Sequence, residues 1–317
     1  MSSPWTLARD GVVPHCVYSC RMSFMRSFIA FTLLLVAVVV GFGGMGAQWL
    51  DRLARTPAPM QRIVGPLASD PQVVGALKDT LVAETRRAVP TELLAHPVIG
   101  AQVDGVVNLA VDAALADPGM QRAWNESINR SRAAYVAELD KVHRDEALES
   151  PTIWFDLTPL VDLGRSRLTA VAPEALHTYL DQVQFDEARL PLGQPDASTS
   201  RSVADGVAAA RNWPWLYLAS GVLVVVAMFT GSRRGRWVAL ALASVVAVVG
   251  LWFGRSVVET VSFPGGDSLA AAIRTGIVNG GTQSFLDFTQ TGLHVAYTAL
   301  ALGMLGLVVA SLSRKAG

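Results

Sequence analysis

The chain has 317 residues, of which 51% are hydrophobic and 16% charged, so it is more apolar than an ordinary soluble protein of this size. Its formal net charge at pH 7 is zero, and no overall electrostatic field therefore recruits nucleic acid or an acidic substrate. Only three of its 26 basic residues are lysines, an arginine-rich usage typical of GC-rich bacterial genomes. The composition indicates a membrane protein without a nucleic-acid partner.

Residues 1–26 precede the first apolar segment and contain both cysteines, Cys16 and Cys20. A zinc site needs two further ligands, which this stretch does not supply. Met22 and Met25 are alternative translation starts, and a chain that begins at Met25 has no cysteine and folds without disulfides. We therefore expect residues 1–26 to be a cytoplasmic N-terminus, with translation starting at Met1, Met22 or Met25.

Residues 28–47 form the first apolar run, 20 residues without a charged side chain. About 20 helical residues, each rising about 1.5 Å, cross a hydrocarbon core of about 30 Å, so we predict a transmembrane helix over residues 27–50. The sequence GMGA at residues 44–47 also resembles a signal-peptide cleavage site. The run is longer than most signal-peptide cores, which favours a retained helix, and N-terminal sequencing of the purified protein distinguishes the two.

Residues 51–212 are predicted to form one large domain that is mainly helical. Asp70-Pro71 and Asp117-Pro118 each match an N-cap followed by a first-turn proline, and each precedes an amphipathic stretch. Apolar residues share one helix face after each start: Val73, Val74, Leu77, Leu81 and Val82 after the first, and Met120, Trp124, Ile128 and Tyr135 after the second.

The second half of this domain is predicted to contain strand as well as helix. Residues 152–157 (TIWFDL) alternate with β-favouring side chains, a helix follows over residues 159–170, and a second strand is predicted around residues 183–185. Residues 193–202 are polar and contain proline and serine, which is typical of a linker. The domain is therefore expected to be α+β with helix dominant.

Three further apolar runs predict transmembrane helices at residues 213–230, 237–254 and 292–312. Residues 231–236 form a short link between the first two, and residues 313–317 form a tail. Residues 255–291 are too long for a simple turn. Asp267 can cap a short amphipathic helix there, with an apolar face at Leu269, Ile273 and Ile277. This helix is expected either to lie in the membrane interface, to dock against the large domain, or to form a packed connecting loop.

Positive charge is concentrated beside the ends of the apolar runs that would share one side of the membrane. Seven basic side chains and no acidic one flank these ends: Arg21, Arg26, Arg233, Arg234, Arg236, Arg314 and Lys315. Residues 51–211 hold 22 acidic and 16 basic side chains, a net charge of −6. Because positive residues stay inside, both termini and residues 231–236 are predicted to be cytoplasmic, and residues 51–212 and 255–291 extracytoplasmic.

No pattern in the sequence identifies a catalytic, cofactor-binding or metal-binding residue. The five histidines are scattered without metal-ligand spacing: His15, His96, His143, His177 and His294. Asp140, Asp145 and Glu146 lie close to His143, which is a cation-site hypothesis, but a solvated helix end of mixed charge explains them more simply. Trp124 and Trp154 are of the type that stacks on a ligand, although aromatic side chains on amphipathic elements are usually core.

The predicted transmembrane helices hold no charged side chain, and His294 lies only at the outer end of the last one. Transporters and channels generally place ionisable groups within the bilayer, so these helices are predicted to serve as an anchor and an assembly surface. Small residues such as Ala239, Ala243 and Ala247 recur at packing spacing, which allows close helix contact within the chain or between copies. A homo-oligomer is therefore one hypothesis.

From residue 120 to residue 192 the chain resembles a family of actinobacterial four-span integral membrane proteins to which no activity is assigned. The matching pattern is a tryptophan-containing helix (Ala123-Trp124-Asn125 through Arg132-Ala133-Ala134-Tyr135), then IWFDLTPLV at residues 153–161, Leu168 and the stretch 183–192. The resemblance implies four spans with a large extracytoplasmic domain and implies no activity or cofactor.

The expected fold is a mostly α membrane protein with four transmembrane helices plus a helix-rich α+β extracytoplasmic domain between the first and second spans. We expect a non-enzymatic protein of the bacterial cell envelope, embedded in the lipid bilayer, whose outer domain binds a protein, a wall component or a lipid. An accessory or permease-like subunit of an ABC-type complex is an alternative, although residues 231–236 leave no coupling helix for an ATPase. An enzyme acting on envelope lipid or peptidoglycan is a second alternative and requires a carboxylate or histidine cluster in an outer cleft.

Overall fold

The computed structural model describes residues 15–88, 97–146, 150–171, 188–260 and 268–312. Helices make up 86% of the structure and there is little sheet, in agreement with the mostly α fold predicted from the sequence. In chain order the elements are α1 (His15–Arg55), α2 (Pro57–Val64), α3 (Pro71–Ala88), α4 (Pro97–Leu115), α5 (Met120–His143), β1 (Ile153–Asp156), α6 (Thr158–Val171), β2 (Arg189–Gly193), α7 (Ala197–Ala210), α8 (Trp213–Thr230), α9 (Gly235–Glu259) and α10 (Leu269–Leu312).

The chain divides into two compact units. The first, which we call the membrane unit, comprises Met1–Met45, Pro214–Gly254 and Thr289–Gly317. The second, which we call the helical domain, comprises Gly46–Trp213 and Arg255–Phe288.

Four helices are long and apolar enough to cross a membrane, which indicates a multi-pass membrane protein. Their bounds are Met25–Arg55, Trp213–Thr230, Gly235–Val258 and Leu269–Leu312. Each contains one of the apolar runs from which a transmembrane helix was predicted. Many of their large apolar side chains are exposed in the isolated chain, as lipid-facing side chains would be: Phe229 is 81% exposed and Val309 65%.

Small residues hold the helices of the membrane unit close together. Ala30, Ala227, Ala239 and Ala243 are almost fully buried in one apolar cluster with Leu34. The Ser220 hydroxyl of α8 donates a hydrogen bond to the Ala37 carbonyl of α1 at 2.8 Å. The small-residue positions predicted for helix packing are thus used inside the chain, as expected where apolar lipid offers no hydrophobic driving force between helices.

The core of the helical domain is built around Trp124, which is 0% exposed. Its indole N–H donates to the Val64 carbonyl of α2 at 3.0 Å, and its ring centroid lies 5.2 Å from that of Phe155 on β1. Leu77 of α3 and Leu160 of α6 complete a dry centre whose side chains come from well-separated parts of the chain. Most of the apolar face predicted for α3 and of that predicted for α5 therefore lies in one core. Tyr135 is the exception on α5, because it packs beside Leu139 in a separate cluster.

Of the two predicted aspartate caps, one is confirmed and one is wrong. Asp70 caps α3, because its carboxylate accepts the backbone N–H groups of Gln72 at 2.8 Å and Val73 at 3.3 Å. Asp117 does not cap α5. It accepts the N–H of Gly119 at 2.5 Å and forms a tight turn, and the helix begins only at Met120. Aspartate is favoured in such turns as well as at helix caps.

The sheet consists of β1 and β2 paired antiparallel, with Phe155 opposite Leu190 and Asp156 opposite Arg189. Pro191 has no N–H to donate, which is tolerated on an edge strand. The Ser131 hydroxyl of α5 accepts the Asp156 N–H at 2.8 Å and ties the sheet to that helix. The strand predicted around residues 183–185 lies outside the described residues, whereas the helix predicted after β1 agrees with α6.

Residues 197–202 are helical, whereas the sequence predicted a linker over residues 193–202. Asp196 caps this helix by accepting the Thr199 N–H at 2.6 Å, and this hydrogen bond is the main reason that the pKa of Asp196 is lowered. Ser200, Ala204 and Val207 form its buried face. The first turn of this helix is polar, and for that reason the sequence predicted a linker although the helix packs on the domain.

Helix α10 runs unbroken through Asn279-Gly280-Gly281, so the predicted short amphipathic helix and the last span belong to one element. Its first turns lie in the core of the helical domain, where Ile273 is 0% exposed. A Cβ atom at Gly280 would lie 2.8 Å from the Ile63 side chain and 2.9 Å from its carbonyl oxygen. Gly280 therefore allows close packing of α10 on α2.

We expect Ser127→Ala to leave the free energy of unfolding unchanged or to raise it by up to about 1 kcal/mol. Ser127 is 0% exposed, and its hydroxyl has no hydrogen-bond partner within the described residues. Alanine removes that buried hydroxyl without the loss of a hydrogen bond. The midpoint of thermal unfolding in detergent measures the effect.

Ser131→Ala is the matched control on the same helix. Its hydroxyl donates to the Ser127 carbonyl at 2.6 Å and accepts from Asp156, so its removal should cost about 1–2 kcal/mol. Equal losses of unfolding free energy in Ser127→Ala and Ser131→Ala would contradict the assignment of an unpartnered hydroxyl to Ser127.

Candidate ligand cavity

The helical domain contains a cavity of about 220 Å³ with an almost entirely apolar wall. Leu50 and Leu53 at the end of α1, Val207 of α7 and Ile277 of α10 contribute to it. The sheet closes another side with Phe155 and its neighbours. A concave space with such walls is suited to a nonpolar group.

One face of α5 forms the largest part of the wall. The residues involved recur at helical spacing: Ile128, Ser131, Arg132, Tyr135, Val136 and Leu139. Helix α7 presents Val203 and Val207, which are also separated by one helical turn. The cavity remains because the side chains of these two helices, the end of α1 and the sheet do not fill the space between them.

The volume of this cavity limits what it can hold. An engineered cavity of about 150 Å³ between aliphatic and aromatic side chains binds benzene, and pockets for drug-sized molecules begin at about 300 Å³. At about 220 Å³, the cavity matches a single short apolar chain or one segment of a longer one.

Arg132 is the only charged side chain among the described residues that line the cavity. Its guanidinium donates to the Ala54 carbonyl and to the Asn129 side chain, the latter at 2.8 Å, while its Nε is buried without a partner in the described part of the chain. Burial lowers the pKa of Arg132 from its ordinary high value, yet a guanidinium remains charged in proteins. A partly buried cation without a carboxylate partner is costly.

Tyr135 lies one helical turn after Arg132 on the same wall. Burial raises the pKa of its phenol, so the side chain stays a neutral O–H donor at physiological pH. Trp154, which is 41% exposed, also lines the cavity, whereas Trp124 lies in the core and is not among the residues that line it. Of the two tryptophans considered for ligand stacking, only Trp154 is therefore placed to do so.

Two of the three acidic residues considered with His143 for a cation site, Asp145 and Glu146, are paired with arginines. His143 Nδ1 lies 2.7 Å from the carboxylate of Asp205 on α7, Asp145 is paired with Arg201, and Glu146 with Arg144 at 2.8 Å.

The hydrogen bond and charge of Arg201 lower the pKa of Asp145, and the hydrogen bond from Arg144 is the main cause that lowers the pKa of Glu146. In the segments that the structure describes, no group of three His, Cys, Asp or Glu side chains is arranged to hold a metal ion.

The remaining histidines do not meet at a site in the described structure. His96 and His177 lie outside the described residues, as does the side chain of His15. His294 is on α10, where its carbonyl accepts the Thr298 hydroxyl at 2.8 Å.

The sequence contained one signal for the cavity, which is the position of Arg132 on α5. Arg132 follows Ile128 by four residues and precedes Tyr135 by three, so it lies on the apolar face of α5 and not on the solvated one. A charged residue in that register indicates either a buried ion pair or a ligand. No protein-family model, no curated protein and no solved structure matches the chain.

Proposed function

We propose that the chain is a non-enzymatic, multi-pass membrane protein of the bacterial cell envelope whose helical domain binds a single apolar chain derived from a lipid. The observation that carries the proposal is the apolar cavity between α5, α7, the end of α1 and the sheet. A protein or wall partner would be met by an exposed surface with polar groups, whereas this feature is concave and apolar. A lipid-derived ligand is therefore favoured among the three partners expected.

Burial of apolar surface supplies the affinity in this proposal. Each methylene group transferred from water gains about 0.8 kcal/mol, and a preformed cavity requires little reorganisation of the protein. Four helices of membrane type support a location in a bilayer, where acyl chains are abundant. The acyl chains of a bilayer thus have the apolar chemistry that the cavity suits.

The orientation of the helical domain is part of the proposal. Seven basic side chains flank the apolar runs at the N-terminus, at residues 231–236 and at the C-terminus, while residues 51–211 have a net charge of −6. By the preference of positive loops for the cytoplasm, the helical domain lies outside the cytoplasm and both termini lie inside. Membership of the actinobacterial four-span family belongs to the same proposal.

We expect Val203→Phe to reduce the affinity for a short apolar ligand by about tenfold or more, because the added ring occupies the cavity. Val203 is 37% exposed and lines the cavity, so the larger side chain need not disturb the core. The measurement is equilibrium binding of radiolabelled decanol to the full-length protein in nanodiscs, after subtraction of binding to empty nanodiscs.

Val257→Phe is the matched control. Val257 is 47% exposed and is not among the cavity-lining residues, so this variant should bind decanol as the wild type does. Absence of saturable binding to the wild type, or equal affinity in Val203→Phe and the wild type, would overturn the proposal. Thermal unfolding of each variant establishes that it is folded.

A further inference from the structure

We infer that the ligand of the cavity is a single-chain carboxylate, whose head group is held by Arg132 and Tyr135 while its tail fills the apolar space. This inference rests on the proposed function and adds the chemistry of the head group. Two observations carry it: a guanidinium without an anionic partner in the described structure, and its position in the wall of an otherwise apolar cavity.

Arg132 has unused hydrogen-bonding capacity. A guanidinium has five N–H donors, and the described contacts are to the Ala54 carbonyl and the Asn129 side-chain oxygen. Neither acceptor is an anion, and only the partial negative charge at the C-terminal turn of α1, to which Ala54 belongs, offsets the cation in part. A partly buried charge without a full counter-ion is costly, and an anionic ligand would relieve that cost.

The same residues indicate a carboxylate rather than a phosphate. A planar carboxylate carries one charge and matches the fork of a single guanidinium. A phosphate monoester carries up to about two charges at neutral pH, and its compensation usually requires further cations. Among the described residues that line the cavity, Arg132 supplies the single positive charge, and Tyr135 adds a neutral hydroxyl one turn away.

The distribution of polar and apolar side chains in the wall indicates an amphiphilic ligand. The polar side chains of the wall, Ser131, Arg132 and Tyr135, are neighbours on α5, whereas α1, α7 and the sheet contribute mainly aliphatic and aromatic side chains. The Ser131 hydroxyl is already engaged with Ser127 and Asp156. One end of the cavity's ligand therefore meets Arg132 and Tyr135, and the remainder meets apolar groups only.

The test compares decanoate with decanol, which has the same chain length but no charge, for binding to the full-length protein in nanodiscs at mildly alkaline pH. We expect decanoate to bind at least about tenfold more tightly than decanol. Arg132→Gln should remove this difference by weakening decanoate about tenfold or more while it leaves decanol nearly unchanged. Tyr135→Phe should weaken decanoate by about two- to tenfold.

Arg130→Gln is the matched control, because Arg130 lies on the same helix but is exposed and paired with Glu126 at 3.0 Å. It should leave both affinities unchanged. If decanoate and decanol bind equally and Arg132→Gln changes neither, the carboxylate inference is overturned while the proposed function stands. If neither ligand binds the wild type saturably, both fail. Should Arg132→Gln not fold, Tyr135→Phe alone decides, and unchanged decanoate affinity in that variant would overturn the inference.

Discussion

Replacing Trp124 with alanine is expected to lower the free energy of unfolding of the helical domain by about 3–5 kcal/mol. Trp124 is fully buried, and it contacts Phe155 with its ring and the Val64 carbonyl with its indole N–H. Alanine would leave a cavity in the core and remove the hydrogen bond of the indole N–H, and these losses act in the same direction. A loss of this size is comparable to the whole stability of many domains.

Urea unfolding measures this loss within the helical domain when it is monitored by hydrogen–deuterium exchange in peptides from α5 and β1. Trp154→Ala is the control, because Trp154 is on the adjacent strand and remains 41% exposed. Its replacement should cost less than half as much. Equal costs at the two positions would contradict the placement of Trp124 at the centre of the core.

Gly303→Leu is expected to destabilise the membrane unit by about 1–3 kcal/mol or more. A Cβ atom at Gly303 of α10 would lie 3.0 Å from the backbone nitrogen of Ala241 on α9 and 3.1 Å from its Cα. Backbone atoms cannot rotate away as a flexible side chain can, so the two helices must separate. Their packing, which small residues make possible, would then be lost along the contact.

The SDS mole fraction at the unfolding midpoint measures the destabilisation, with Gly221→Leu as the control. A Cβ atom at Gly221 of α8 meets nothing within 4 Å, and leucine has a higher helix propensity than glycine. Gly221→Leu should therefore unfold at the wild-type midpoint or slightly above it. A midpoint for Gly303→Leu equal to that of Gly221→Leu would contradict the close α9–α10 contact.

Features with a local physical cause could be predicted from the sequence. The four apolar runs, the cap at Asp70 and the apolar face that contains Trp124 each follow from composition or from spacing within one element. The helix that follows β1 was predicted for the same reason. Such signals lie within a few turns of chain and do not depend on the partner element.

Features decided by tertiary packing were missed or misplaced. Asp117 matches a helix cap but forms a turn, and the glycines at 280 and 281 match a break but lie within α10. Glycine disfavours a helix by about 1 kcal/mol, a cost that close packing on Ile63 offsets at Gly280. At Asp117 the competing structure is itself local, a turn that the Gly119 N–H closes.

The candidate site was the least predictable feature, because a cavity is the space that several elements fail to fill. Its wall combines residues from α1, α2, α5, both strands, α7 and α10, whose separation in the chain exceeds 200 residues between Leu50 and Ile277. No spacing within one element indicates such a void. The position of Arg132 on an apolar face was visible in the sequence, but its meaning depends on the absence of a carboxylate partner in the described fold.

Photo-crosslinking tests the central claim, that the helical domain holds a lipid-derived chain, most directly. A decanoate analogue with a diazirine in its tail would be activated in membranes that contain the full-length protein, and the labelled peptides identified by mass spectrometry. The account predicts adducts on α5 and α7 near Val136 and Val203, removed by excess decanoate and reduced in Val203→Phe. Adducts confined to exposed apolar positions of the membrane unit, such as Phe229, and insensitive to decanoate would contradict it.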